Sequence, residues 1–257
     1  MIAIISPAKN MKIQEDGTPP MSVPIFLQEA GEIWGELRKC FPLDLQELMK
    51  ISETLSEDSF DRIQAMKWDE AGTCAIETYD GIQYKYMDPL HFSAEAKAFA
   101  KNHVRILSGM YGVLQPYDSI YEYRLEMGTR LSVNESKNLY DFWKDKLYRE
   151  LEEELRDSRI HKTGEPVILN LASEEYGKII KKYRKDPVRI VTCHFKTYSK
   201  GKYRVLATAA KMARGSMIRY LSMNQMDDLE GVKSFDWNGY CYEEALSTPE
   251  EYVFLKK

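Results

Sequence analysis

The sequence predicts a mixed α/β (α+β) fold, read as one domain over residues 1–257. Three observations carry that expectation. Short apolar runs of strand length, at residues 1–5, 104–107, 167–171 and 188–195, alternate with stretches whose apolar residues recur at helical spacing. A chain of 257 residues can bury roughly 70–75% of the surface its unfolded form exposes, without disulfide or metal staples. A composition of 44% hydrophobic and 30% charged residues is that of a globular chain, not a disordered one.

Taken in order, residues 1–5 read as a buried strand ended by Ser6-Pro7. Pro19, Pro20 and Pro24 mark a loop, and residues 25–41 then show helical spacing through Phe26, Ala30, Ile33 and Leu37. Two shorter helices are expected at 43–50 and 57–66, with Ser56 and Ser59 offering cap chemistry and Phe60, Ile63 and Met66 a buried stripe. Residues 75–78 are expected to form a strand, and Asp80-Gly81 a turn. A helix over 92–103 leads into the strand at 104–107. Leu107-Ser108-Gly109-Met110-Tyr111-Gly112 follows, its two glycines pointing to positive φ or a close backbone approach.

From Tyr121 the pattern alternates: Tyr121, Tyr123, Leu125 and Met127 face one side of an extended segment, Glu122, Arg124 and Glu126 the other. One long helix is expected over 134–155, burying Leu139, Phe142, Trp143, Leu147 and Leu151. After the strand at 167–171, Ser173 is placed to cap a helix that ends near Lys185. Strands at 188–195 and 203–206 pair around the turn Ser199-Lys200-Gly201-Lys202, and a last helix spans 207–223.

No apolar run approaches the ~20 residues that a membrane span needs. The opening Met1-Ile2-Ala3-Ile4-Ile5-Ser6-Pro7 lacks the basic start and long apolar core of a secretion signal. Cys40, Cys74, Cys193 and Cys241 lie far apart with no C-x-x-C spacing, so reduced thiols in a cytoplasmic protein are expected.

The net charge of −4 hides an asymmetry. Between Tyr176 and Tyr220 stand thirteen Lys and Arg residues, among them Lys178, Lys181, Lys182, Lys211, Arg214 and Arg219, against one acid, Asp186. Such a block attracts polyanions if its side chains converge, and is a set of solvated faces if they do not. The interleaved Tyr176, Tyr183, Phe195, Tyr198 and Tyr203 suit base stacking or, equally, packing against the core. Residues 48–55, followed by Phe60 and Ile63, loosely resemble a helix-hairpin-helix, although the Gly-x-Gly hairpin is missing and Glu53 stands where a phosphate would approach.

Other chemistries find less support. The sequence has neither G-x-x-x-x-G-K-[ST] nor G-x-G-x-x-G. His91, His103, His161 and His194 are scattered, and Cys193 and His194 point to opposite sides of a strand, so neither a metal nor a cofactor is expected. Ser6, Lys9, Asn170 and Ser173 follow strands, where with Arg124 they could form a pocket for a phosphate or carbonyl. Neither a G-x-S-x-G elbow nor the β-lactamase context of S-x-x-K surrounds Ser6. The plainer alternative has Ser6 and Ser173 capping helices or turns and Arg124 pairing with Glu126 or a neighbour. Iron sequestration would need clustered ligands, and Glu150–Glu154, the one dense acidic run, is spread around a helix axis.

Seven segments together resemble the YaaA family: Ile5-Ser6-Pro7-Ala8-Lys9, Leu48-Met49-Lys50-Ile51-Ser52, Leu107-Ser108-Gly109-Met110-Tyr111-Gly112-Val113-Leu114, Tyr123-Arg124-Leu125-Glu126-Met127-Gly128, Leu139-Tyr140-Asp141-Phe142-Trp143, Asn170-Leu171-Ala172-Ser173-Glu174-Glu175-Tyr176 and Lys211-Met212-Ala213-Arg214-Gly215. The resemblance implies a single curved domain with a basic concave cleft and a helix-hairpin-helix-like element, here at residues 43–66. It implies binding of double-stranded or distorted DNA and a role in peroxide stress, limiting iron-driven damage. Lys9, Arg124, Lys211 and Arg214 lie within the matched segments and are the expected cleft cations. Lys178, Lys181, Lys182 and Arg219 join them on charge alone, and Ser6, Asn170 and Ser173 are the polar residues of the cleft. No obligate protein partner is expected. An enzyme acting on a nucleotide or nucleic-acid base in the same cleft is the alternative.

Overall fold

A computed structural model of the chain describes residues 1–67, 72–156 and 165–256. His161, one of the scattered histidines, lies outside the described residues. The frame is one eight-stranded sheet. In chain order its strands are β1 (Ile2–Ile5), β2 (Val104–Ser108), β3 (Gly112–Leu114), β4 (Val167–Asn170), β5 (Arg189–Ser199), β6 (Lys202–Arg204), β7 (Tyr240–Tyr242) and β8 (Glu251–Lys256). Across the sheet they run β7-β8-β5-β4-β1-β2-β3, with β6 also on β5. β2, β1, β4, β5 and β8 are mutually parallel, in register Ala3↔Val104, Ala3↔Leu169, Ile168↔Ile190 and Phe254↔Phe195. β1, β2 and β4 are buried along their whole length, as parallel strands covered on both faces are.

The helices among the described residues are α1 (Leu27–Leu37), α2 (Pro42–Met49), α3 (Glu53–Ala65), α4 (Ala75–Thr78), α5 (Ile82–Met87), α6 (Ala94–His103), α7 (Leu139–Trp143), α8 (Lys146–Glu154), α9 (Glu174–Tyr183), α10 (Ala207–Asn224) and α11 (Leu229–Lys233). Each amphipathic helix buries its i, i+3/i+4 stripe: Ala30, Ile33 and Leu37 in α1, Leu147 and Leu151 in α8, Tyr176, Ile179 and Ile180 in α9. These residues and the sheet form one continuous core. Among the described residues no helix is long and apolar enough to cross a membrane.

Four local expectations need correction. Residues 75–78 form a helical turn, not a strand: the Thr78 hydroxyl donates to the Cys74 carbonyl at 2.6 Å, and the Ala75 and Ile76 amides donate to the carbonyls of Asp118 and Pro116. The helix expected over 134–155 is two, α7 and α8. The chain breaks at Lys144 (φ +46), next to Trp143, whose indole N–H donates to the Gly109 carbonyl at 3.0 Å. The i+4 spacing of buried residues runs straight through the break, so periodicity does not reveal it. α3 begins at Glu53 with Ser52 as its cap, whereas Ser56 and Ser59 donate back to the Glu53 and Leu55 carbonyls inside the helix. Asp80-Gly81 is a strand-to-helix junction, with Gly81 preceding α5.

Two expectations around the glycine-rich segment hold together. Gly112 takes positive φ (+70°), turning β2 into β3, and a Cβ on Gly109 would lie 2.8 Å from the Leu125 carbonyl. That approach lays the 121–127 segment against the end of β2. Tyr123, Leu125 and Met127 are buried as the alternation predicts, while Tyr121, the first of that face, is only half-buried.

Candidate functional site

In chain order the five parallel strands stand second, first, third, fourth, fifth across the sheet. The connections therefore leave β1 in opposite directions, and the crevice beyond the carboxyl ends of β1 and β4 is where such sheets bind ligands. A cavity of about 440 Å³ opens there. Ser6, Pro7, Ala8 and Lys9 enter it from the end of β1, Ser173 and Tyr176 from the end of β4 and the start of α9, Tyr123 to Glu126 from the extended segment, and Lys211 and Arg214 from one face of α10.

Hydrogen bonds fix this rim. The Ser173 backbone N–H donates to Ser6 Oγ at 2.8 Å, the Ser6 hydroxyl donates to Ser173 Oγ at 3.2 Å, and Tyr84 OH donates to the Ser6 carbonyl at 3.0 Å. Ser173 occupies the cap position of α9 without making a side-chain cap bond, because its hydroxyl is turned to Ser6. Lys9 Nζ pairs with Glu126 Oε1 at 2.7 Å, so the ammonium faces the carboxylate and no Ser6–Lys9 dyad forms. Arg124, for which the plainer alternative is a pair with Glu126 or a neighbour, reaches the Lys9 carbonyl at 3.5 Å.

Gln83, Tyr84, Tyr123 and Tyr176 are buried residues of the cavity wall. Tyr123 OH is hydrogen-bonded to Tyr79 OH and to Ser108 Oγ, each at 2.7 Å. Burial pushes the Tyr123 phenol up to about 12 and Tyr84 and Tyr176 well above their ordinary value, so all three stay neutral hydrogen-bonding groups at physiological pH. The thiols are no readier to ionise: burial raises Cys74 to about 12 and also raises Cys193.

Charge in the cavity is unbalanced. Its three carboxylates are engaged, Glu126 by Lys9, Asp80 by Lys85 at 3.5 Å and Glu175 by the Gly128 N–H at 2.8 Å. Among the described residues, no carboxylate forms an ion pair with Arg124, Lys211 or Arg214. Arg214 is half-buried, and desolvation of its guanidinium lowers its pKa, with no carboxylate among the described residues to offset it. Its Nε and the Gln83 amide nitrogen are buried with no hydrogen-bond partner among the described residues. Each such unpaired donor costs about 1–3 kcal/mol.

The approach of α10 makes this wall. A Cβ on Gly215 would sit 2.0 Å from the Gln83 carbonyl oxygen, so only glycine lets α10 lie against α5 and bring Arg214 beside Gln83. Ahead of α10 stands the β5–β6 hairpin. Thr197 pairs with Lys256 of β8 and with Arg204 of β6, which puts β6 on the β4 side of β5. Since Asn170, the last residue of β4, pairs with Thr192, residues 193–199 run about 23 Å past it at ~3.3 Å per residue. Lys200 and Gly201, both at positive φ, close the turn. Tyr198 and Tyr203 stack edge-to-face at 5.4 Å and are 60% and 40% exposed, flanked by Lys200, Lys202 and Arg204.

The sequence-predicted residues thus divide. Ser6, Lys9, Arg124, Ser173, Lys211 and Arg214 share the cavity. Asn170 does not line it. It is buried behind the rim, its amide donating to Thr192 Oγ1 at 3.3 Å and its carbonyl accepting from the Ala172 N–H at 3.1 Å. Lys178 lies over the Tyr140 ring, Lys181 pairs with Glu251, Lys182 lies over Tyr183, and Arg219 binds Asp88, none of them on the cavity wall. Of the five candidate stacking rings, Tyr176 and Phe195 are core. Gln83, Tyr84 and Tyr123 were missed as site residues. Tyr123 carried a signal in the alternating segment, while Gln83 sits in an ordinary helical stretch that carries none.

Among the described residues no group of three His, Cys, Asp or Glu side chains is arranged to hold a metal. All four cysteines are free.

The sequence model of the family described as peroxide stress protein YaaA matches residues 1–246. A UPF0246 protein of Clostridioides difficile is 44% identical over 257 residues, covering all of both chains. UPF0246 proteins of Lactiplantibacillus plantarum and Agathobacter rectalis are 38% and 35% identical, over 99% and 100% of this chain and 99% of each relative. Matches of that extent leave one conclusion: the chain belongs to the YaaA peroxide stress protein family.

Proposed function

We propose that this protein binds duplex or distorted DNA in the cytoplasm during peroxide stress and so limits iron-driven damage to it. One observation carries the reading: Lys9, Arg124 and the Lys211/Arg214 pair of α10, from three distant parts of the chain, meet around one cavity where, among the described residues, Arg124, Lys211 and Arg214 have no carboxylate partner. Cations left unpaired at a ligand-binding edge are available to phosphates, and each phosphate they neutralise releases counter-ions. The Tyr198/Tyr203 hairpin adds two exposed rings and three basic side chains on the same edge, the combination that unpaired or splayed bases engage.

The helix-hairpin-helix-like element extends the proposed track. α2 and α3 form a helical hairpin through Lys50, Ile51 and Ser52, and the depression beside Lys50 shares Glu126 and Glu175 with the cavity. The concave basic cleft of this reading is the surface from that hairpin across the cavity to the β5–β6 arm.

The test is binding of a labelled 20-base-pair duplex, and of the same duplex with an unpaired bubble, across a salt series. Replacing Arg124 and Lys211 with Gln together should weaken both about equally and lower the salt slope by about 2, near 0.9 per lost phosphate contact. Unchanged affinity and slope in a folded double variant would remove the cavity from the DNA-binding surface.

A further inference from the structure

We propose that the cavity receives a single nucleotide, its phosphate held by Arg124, Lys211 and Arg214 and its base set against the tyrosine wall with Gln83 reading an edge. The inference rests on the same cations as the DNA-binding reading but asks something narrower of them, and it can stand or fall separately.

Size decides first. A cavity of about 440 Å³ falls within the range of small-molecule sites and holds one nucleotide, whereas a duplex about 20 Å across can only lie over its mouth. Chemistry decides next. Arg214 offers a buried Nε–H with no acceptor, and Gln83 a buried amide nitrogen with none, both on the wall of the same cavity. Two buried donors left open, from different elements held together by the Gly215 contact, ask for acceptors that the protein does not supply. With Arg214, Arg124 and Lys211 outnumbering the free carboxylates, an acceptor carrying negative charge is the fitting occupant. Glutamine presents a donor and an acceptor side by side, the pattern that matches the edge of a purine. The Ser6 and Ser173 hydroxyls lie at the carboxyl ends of β1 and β4, and Tyr84, Tyr123 and Tyr176 are neutral rings suited to a flat heterocycle.

Two sources supply that ligand: a free mononucleotide, or a nucleotide swung out of a DNA strand as base-flipping proteins do. Calorimetric titration of the wild-type protein with each 5′-nucleoside monophosphate, each nucleoside and inorganic phosphate reads the first. The second is read by the fluorescence rise of 2-aminopurine placed opposite an abasic site in a duplex. The expected result is saturable binding of at least one monophosphate, at least tenfold tighter than its nucleoside or phosphate alone, or a fluorescence rise on the oligonucleotide. In either arm Arg214→Met and Gln83→Leu should weaken the response tenfold or more. Should Gln83→Leu fail to fold, Gln83→Glu makes the same test by placing a carboxylate at the open donor.

Silence in both arms while an undamaged duplex still binds overturns the cavity inference and leaves the DNA-binding reading intact. Mononucleotide binding without any duplex binding does the reverse. A response equal in wild type and in folded Arg214→Met and Gln83→Leu variants also overturns it, since the ligand would then sit elsewhere.

Discussion

Arg214 and Gln83 show how a residue's surroundings, not its type, make it a candidate. Arginine is ordinarily solvated or paired, and Arg219, one turn and a residue further along α10, is: its guanidinium binds the Asp88 carboxylate at 3.0 Å and the Met87 and Asp88 carbonyls. Arg214 on the same helix is half-buried, has no carboxylate partner among the described residues and holds its Nε out of solvent without an acceptor, and that difference is what assigns it to the cavity. Asp118 is a different case, structural and far from the cavity wall. Its carboxylate accepts from Ser22 Oγ at 2.6 Å and from the Gln115 N–H at 2.8 Å, yet burial outweighs both and pushes its pKa up to about 6 from the ordinary 3.8. The folded state then binds this proton more tightly than the unfolded one, so the contribution is full below pH ~4 and is lost as pH rises to about 6. Urea unfolding should show wild type losing as much as about 3 kcal/mol relative to Asp118→Asn between pH 4 and pH 7. An equal pH profile for the two proteins would contradict it.

At the scale of elements, the close packing of α10 on α5 is the join on which the cavity depends. Gly215→Ala drives a methyl into the Gln83 carbonyl and should cost at least about 2 kcal/mol, displacing Arg214 as it does so. Gly35, inside α1 with nothing within 4 Å of its missing Cβ, is the contrast: Gly35→Ala should raise stability by about 0.5–1 kcal/mol. Thermal unfolding of the two variants side by side tests the pair. A second join ties β2 to α8, where Arg105 Nε meets both Glu154 oxygens at 2.7 and 2.8 Å and Arg105 Nη1 donates to the Lys101 and Val104 carbonyls. Arg105 is 3% exposed, so Glu154→Ala leaves a buried cation unpaired and should cost about 3–5 kcal/mol, measured by denaturant unfolding. The acidic run at 150–154 is therefore not all solvated face: its last member is a core ion-pair partner.

Over the whole molecule, the basic block does not act as one surface. Its +12 charge is shared among α9, whose lysines are spent on Tyr140, Tyr183 and Glu251, the β5–β6 hairpin, and α10, which turns Lys211 and Arg214 to the cavity and Arg219 away. Lys9 and Arg124 join from outside the block. Since the arm and the cavity face one edge of the sheet, replacing Tyr198 and Tyr203 with Ala should weaken binding of bubble DNA by about 1–3 kcal/mol per stacked base and intact duplex less, read by anisotropy. Equal losses on both substrates would mean that the rings touch backbone rather than bases.

Much of this was legible in the chain itself. The strands at the ends of which Ser6, Asn170 and Ser173 stand, the alternation from Tyr121 to Met127 and the hairpin at Lys200-Gly201 are local patterns, set by side-chain period and turn stereochemistry within a few residues. So is the closeness of Lys211 to Arg214, three apart on a helix. The fold alone decided which distant cations meet, that Asn170 braces the rim from behind it, and that Gln83 belongs to the site at all. The physical reason is that a local pattern tells which face of an element is apolar. Which partner covers that face, and which charges are left without one, depends on strand order and on approaches as close as that at Gly215, and these exist only once the sheet has assembled.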